Sequence, residues 1–220
     1  MTSEMHQIPR PTHHPDADLL ARFAAGTLED GPALIVATHL DFCPACRGQA
    51  RKWEALGGAL LDGLPPAIMA PDALDHALDL IGAAPEERSP HRASDDLALP
   101  PALRRQRMTS WRFIAPGIRG RAVQVDPAQG YKALLFRVQA GMSIPMHGHR
   151  GPEFTCVIDG AFSDSLGRFG PGDMIAVDDG VDHEPMVSRQ DGDCLCLIAV
   201  RGRLRLHSLL GRLAQPFVGL

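Results

Sequence analysis

From residue 16 to about residue 82, apolar residues recur at spacings of three and four. Asp16–Ala25 (DADLLARFAA) puts Leu19, Leu20 and Phe23 on one face, with Gly26 placed to stop the helix. A second helix is predicted from about Gly31 to Leu40, through PALIVATHL. A third begins near Pro44, a residue suited to a first turn, and continues through Trp53, Leu56 and Leu60. Residues 72–82 carry Leu74, Leu78 and Ile81 at helical spacing and predict a fourth. Ala84–Gln106 mixes Pro, Glu, Arg, Ser and Asp around Pro100-Pro101 and reads as a linker. Beyond it the period drops to two. Strands are predicted at Trp111–Ile114, Ala122–Val125, Lys132–Gln139, Phe154–Ile158, Met174–Val177 and Cys194–Val200. Asp159-Gly160 and Gly170-Pro171-Gly172-Asp173 supply turns between them. The chain is therefore expected to be an α + β two-domain protein. A small helical domain spans residues 1–90, a linker 91–106 and a β-barrel or sandwich 107–220.

Composition follows the same division. Ala occurs 16 times in residues 1–90 and 12 times in the remaining 130, whereas 15 of the 22 glycines follow residue 110. With 22 Lys+Arg against 26 Asp+Glu the net charge is −4, which argues against direct binding of nucleic acid by phosphate neutralisation. The longest apolar run, Cys194–Val200, has seven residues, far short of the roughly 18 needed for a membrane span. The opening MTSEMHQIPRPTHHP contains no apolar core of a secretory signal. Five cysteines, an odd number, then point to a reducing cytoplasm, where thiols bind metal or react.

Two clusters of His and Cys carry the chemistry. His39-Leu-Asp-Phe-Cys43-Pro-Ala-Cys46 spaces an imidazole and two thiols by four and three. If one helix ends after His39 and another begins at Cys43, all three side chains converge on one ion. The thiols then lie at a helix N-terminus, which favours thiolate. Two sulfurs and a nitrogen suit Zn²⁺, whose structural sites are closed by a fourth protein ligand. His14 is the best candidate, with His6 and His13 as competitors. The alternative is a redox C-x-x-C pair or two incidental buried thiols.

In the second cluster, His147 and His149 lie two apart in an extended segment and face one side, with Glu153 on the next strand and His183 further on. Three imidazoles and a carboxylate suit Zn, Fe, Mn or Ni equally well. Cys194 and Cys196 share one strand face, either as core thiols or as oxidant-sensitive groups; Cys156 reads as core.

The residues resemble a known family. The segment Gly141-x5-His147-x-His149-x3-Glu153-x6-Gly160 is similar to the first cupin motif at every fixed position. Gly172-x5-Asp178-x-Gly180-x2-His183 resembles the second, with Asp178 where Pro is usual and Val187 where Asn is frequent. The N-terminal half resembles the zinc-binding anti-sigma domain, whose motif is an upstream His followed by H-x3-C-x2-C. DADLLARFAAG, ATHLDFCPACR and the cupin together look like the ChrR-type anti-sigma factors. That resemblance implies a cupin β-barrel or jelly roll, His14 as fourth ligand and zinc in both sites. It also implies an extracytoplasmic-function (ECF) sigma factor as partner, released when the cupin senses singlet oxygen or peroxide. Met142 and Met146, beside His147, would be within reach of such an oxidant. The rival expectation is a cupin metalloenzyme, a dioxygenase or isomerase, with a helical regulatory domain.

Overall fold

The computed structural model describes residues 10–83, 99–149, 151–202 and 204–206. Helix α1 (Ala17–Ala24) starts where the Asp16 carboxylate accepts the Leu19 N–H at 2.7 Å. Helix α2 (Asp30–Phe42) and helix α3 (Pro44–Asp62) meet at one residue, Cys43. Its N–H donates to the His39 carbonyl at 2.9 Å, ending α2, and its sulfur accepts the Cys46 N–H at 3.4 Å, starting α3. Helix α4 spans Ala73–Ala83, and a short α5 spans Pro101–Arg104. Among the described residues no helix is long and apolar enough to cross a membrane.

The strands are β1 (Arg112–Ala115), β2 (Ile118–Val123), β3 (Tyr131–Val138), β4 (His147–His149), β5 (Glu153–Asp159), β6 (Phe162–Asp164), β7 (Gly167–Phe169), β8 (Met174–Val177), β9 (Cys194–Arg201) and β10 (Leu204–Leu206). Six of them form an antiparallel sheet in the order β1-β2-β3-β9-β5-β8. The ribbons β10-β4 and β6-β7, with backbone bridges His147–His183, Ser143–Met186 and Ser163–Met186, make a second, broken layer over its inner face. The result is a two-layered barrel, as the strand pattern predicts, of the cupin-like kind that the motif resemblance implies.

Register sets the two faces of the main sheet. Phe136 lies opposite Cys196, and Leu135 and Cys156 both lie opposite Leu197. The inner face gathers Phe136, Val138, Val157, Cys194 and Cys196 with Phe162 and Phe169. The outer face, through Leu135, Cys156, Leu197 and Ala199, packs against Leu34 and Ile35 of α2 in one core that also takes in Leu19 and Leu20. A strand buried on both faces reads as a continuous apolar run, which is why Cys194–Val200 shows little alternation. Helix α2 is correspondingly buried through Ile35, Val36, Thr38 and His39. At its start the backbone approaches the sheet so closely that a Cβ on Gly31 would lie 2.8 Å from the Cβ of Tyr131.

Some elements differ from the sequence expectation. Strand β2 starts at Ile118, four residues before the predicted Ala122. Strands β6, β7 and β10, three residues each, were not expected, because Gly, Ser, Asp and Arg give them little intrinsic preference and pairing alone forms them. Of the expected linker, residues 84–98 lie outside the described residues. Its last part is packed: Leu99 and Leu103 are buried in the shared core, and the Ala102 N–H donates to Asp41 Oδ2 at 2.8 Å.

Because α2 and the sheet share one core, Ile35→Ala is expected to destabilise the whole chain by about 2–5 kcal/mol. Urea unfolding followed by far-UV circular dichroism and by Trp111 fluorescence is expected to show one displaced transition for both domains.

Candidate metal centres

His39 occupies the last turn of α2, Cys43 the joint and Cys46 the first turn of α3, so the helix–joint–helix geometry turns all three inward. His14, two residues before the Asp16 cap, closes the group. Its Nδ1 lies 3.5 Å from Cys43 Sγ and 3.4 Å from Cys46 Sγ. The His14 and His39 rings meet edge to face at 5.5 Å, and one ligand atom from each of the four residues falls within 4.8 Å of every other. For Zn–N near 2.05 Å and Zn–S near 2.3 Å, a tetrahedron places nitrogen and sulfur about 3.6 Å apart, close to both observed separations.

The protonation pattern fits a cation as well. His39 Nδ1 donates to the Gly172 carbonyl at 2.7 Å, which fixes the tautomer and leaves Nε2 as a lone-pair donor. Nε2 is buried and has no hydrogen-bond partner. Burial holds the His39 pKa below its ordinary value despite the Gly172 bond, so the ring is neutral at pH 7. Burial, then the hydrogen bond to Cys43, pushes the Cys46 thiol up to about 12. The helix N-terminus does not prevail at Cys46; the thiolate there needs a positive ion. His13 is turned away, with its ring against Phe169 at 4.5 Å and its Nδ1 3.5 Å from Asp173. His6 lies outside the described residues.

The second cluster is sealed inside the barrel. His147, Glu153 and His183 are each at most 5% exposed, and their ligand atoms lie within 4.8 Å of one another. His147 Nδ1 bonds to the Pro145 carbonyl at 2.8 Å and His183 Nδ1 to Asp164 at 3.1 Å, contacts that fix the ring orientations. His183 Nε2 is 4.0 Å from Glu153 Oε1. His149 lies on β4 with its backbone opposite Leu204; its side chain is outside what the structure describes. Burial raises the Glu153 carboxyl to about 7, with Thr155 opposing that rise and Asp164 adding to it. Sequence reasoning missed Asp164 and Thr155, which orient the ligands; their type alone gives no signal. Cys194 and Cys196 line the same cavity. The Cys194 contact and burial hold the Cys196 thiol far above its ordinary range, so Cys196 sits there as a thiol, and Cys194 is buried beside it.

Two expectations follow. Zinc binding at pH 7 is expected to release at least one proton per ion, from Cys46, so its apparent affinity rises with pH; calorimetry in buffers of different ionisation enthalpy measures this. For Glu153, the metal-free folded chain keeps its proton up to about pH 7 whereas the unfolded chain loses it near 4.5. Stability of the metal-free chain therefore falls by about 3 kcal/mol as pH rises through that window. Glu153→Gln is expected to raise the Tm of metal-free protein at pH 8 and to abolish any further rise on adding metal to the barrel.

Comparison with known proteins identifies the family. The family model of the ChrR cupin-like domain matches residues 101–202. Anti-sigma-E factor ChrR of Cereibacter sphaeroides is 36% identical over 209 residues, covering 93% of this chain and 97% of that protein. A chain in the crystal structure of Rhodobacter sphaeroides SigE in complex with the anti-sigma ChrR superposes with a TM-score of 0.69 at 32% identity, over 86% of this chain and 99% of that one. Matched along nearly its whole length to a protein of the same extent, the chain belongs to the ChrR family of anti-sigma factors.

Proposed function

We propose that this protein is a cytoplasmic anti-sigma factor that sequesters an ECF sigma factor and releases it under oxidative stress. The observation that carries the partner-binding half is a run of uncovered apolar side chains. Ten large ones between Leu56 and Ile81 are at least half exposed, including Leu60, Leu64, Ile68, Leu74, Leu78 and Ile81. Helix α4 buries none of its residues, although Leu74, Leu78 and Ile81 form a helical stripe. A helix of 11 residues is marginal without packing, and a patch this long on a folded chain marks a protein partner. Membership of the ChrR family supports a sigma factor in that role. The mild net negative charge supports contact with protein rather than with promoter DNA.

In this reading zinc, held by His14, His39, Cys43 and Cys46, fixes the angle between α2 and α3 and so aims the apolar stripe. His147, His149, Glu153 and His183 hold the barrel metal, with zinc as the family expectation and Fe, Mn or Ni as fits of the same ligand set. The metal supplies Lewis acidity and a binding point for an oxidant; the chain itself supplies a dry cavity and fixed imidazole tautomers. A non-enzymatic role is supported by membership of the ChrR family of anti-sigma factors. Next to His147 in the chain, Met146 is 43% exposed and open to oxidation.

The double variant Leu78→Asp/Ile81→Asp is expected to weaken capture of the cognate ECF sigma factor at least 100-fold while leaving zinc content unchanged. Surface plasmon resonance against the purified sigma factor, with zinc measured by atomic absorption, tests this. Unchanged affinity would remove α4 from the interface.

A further inference from the structure

The helical domain's metal cluster does not stand on its own domain. His39 is oriented by the carbonyl of Gly172, and Gly172 belongs to the turn between β7 and β8 of the barrel. The strand of chain that delivers His14 is tied to the next residue. Asp173 accepts the Thr12 N–H at 2.6 Å and the His13 N–H at 2.8 Å on one oxygen, and the Gly170 N–H at 2.8 Å on the other. The Thr12 hydroxyl also reaches it, at 3.3 Å, and the Met174 N–H returns a bond to the His13 carbonyl at 3.1 Å. Contact is closest at Gly172, where φ is +84° and a Cβ would lie 2.6 Å from both Phe42 and Pro11. Asp173 is 5% exposed and carries more donors than a turn requires. Burial pushes its pKa up, yet the N–H groups of Gly170, His13 and Thr12 outweigh burial and keep it ionised.

We propose that the barrel turn 170–173 is the outer shell of the helical domain's metal site, with Asp173 the positioning residue that holds His14 in coordinating range. Three of the four candidate ligands are thus placed by their own helices, Cys43, Cys46 and His39, while the barrel orients the His39 ring and holds the segment of His14. The turn is in turn fixed to the barrel's inner strand. Gly172 N–H donates to the Val157 carbonyl at 2.8 Å, and Val157 N–H to the Asp173 carbonyl at 3.0 Å. Val157 stands four residues along β5 from Glu153. A displacement of β5 at the barrel's own cluster therefore reaches the turn through backbone hydrogen bonds, then His39 through its ring Nδ1 on the Gly172 carbonyl and the His14 segment through the Asp173 carboxylate. This coupling rests on reading the His14–Cys46 group as a metal site and adds to it that metal retention belongs to both domains together.

The test uses the full chain loaded with cobalt(II) or zinc, comparing wild type with Asp173→Asn, Asp173→Ala and Thr12→Pro. Thr12→Pro deletes two donors to Asp173, the N–H and the hydroxyl of an exposed residue outside the barrel, so the question stays answerable if an Asp173 variant does not fold. Expected are altered cobalt d–d and thiolate charge-transfer bands and release of zinc to a chelator about 10–100-fold faster, most for Asp173→Ala. Loss of a merely structural bond would lower Tm without moving the cobalt spectrum. Folded variants with wild-type bands and release rates would overturn the coupling. A wild-type chain that gives no thiolate–cobalt band would overturn the metal reading beneath it.

Discussion

Ile35 and Val36 of α2 are wholly buried in a core shared with a sheet whose other face lines the second candidate metal cluster. Burial of both faces of that one sheet is the constraint from which the remaining architecture follows. It requires a helix that is apolar nearly all round, which α2 is, and it leaves α1 and α3 to cover the sides α2 cannot show to water. It also fixes where His39 must lie. A residue in the last turn of a helix clamped onto β5 and β9 has little choice but to meet the turn that enters β8.

The two metal clusters are built on opposite principles. The inner one depends on register: Glu153 enters from β5, and the His147–His183 backbone bridge brings two imidazoles to within 4.5 Å of each other, ring to ring. Its donors are hard or borderline and almost completely buried. The other depends on a chain joint, uses soft sulfur, and leaves His14 exposed at its edge. The helical cluster is therefore the more open of the two to solvent.

How much of this can be read from the sequence depends on how far apart the cooperating residues lie. His39, Cys43 and Cys46 fall within eight residues, and their spacing alone, with Pro44 to start a helix, contains the geometry. The positions of His147 and Glu153 are legible for the same reason. Choosing between His13 and His14 is not a local matter, because the choice is made by Asp173, about 160 residues away, which takes His13 for itself. Asp173 reads in the sequence only as a turn residue after two glycines. The seven-residue apolar run at Cys194–Val200 could have signalled that this strand is covered on both faces. Identifying the cover as α2 needs the fold.

The hydrogen bond between His39 and Gly172 joins residues 133 positions apart, and the chain is made from the N-terminus. At ordinary elongation rates roughly 7–27 s separate the emergence of the two partners. During that interval His39 can bond only to water, and the apolar surface of α2 has no sheet to lie on. The nascent helical segment is thus a different object from the finished domain, with a looser grip on any ion and an uncovered central helix. Completion of β8 and β9 closes that period, which makes the last third of synthesis the step that commits the first third to its final form.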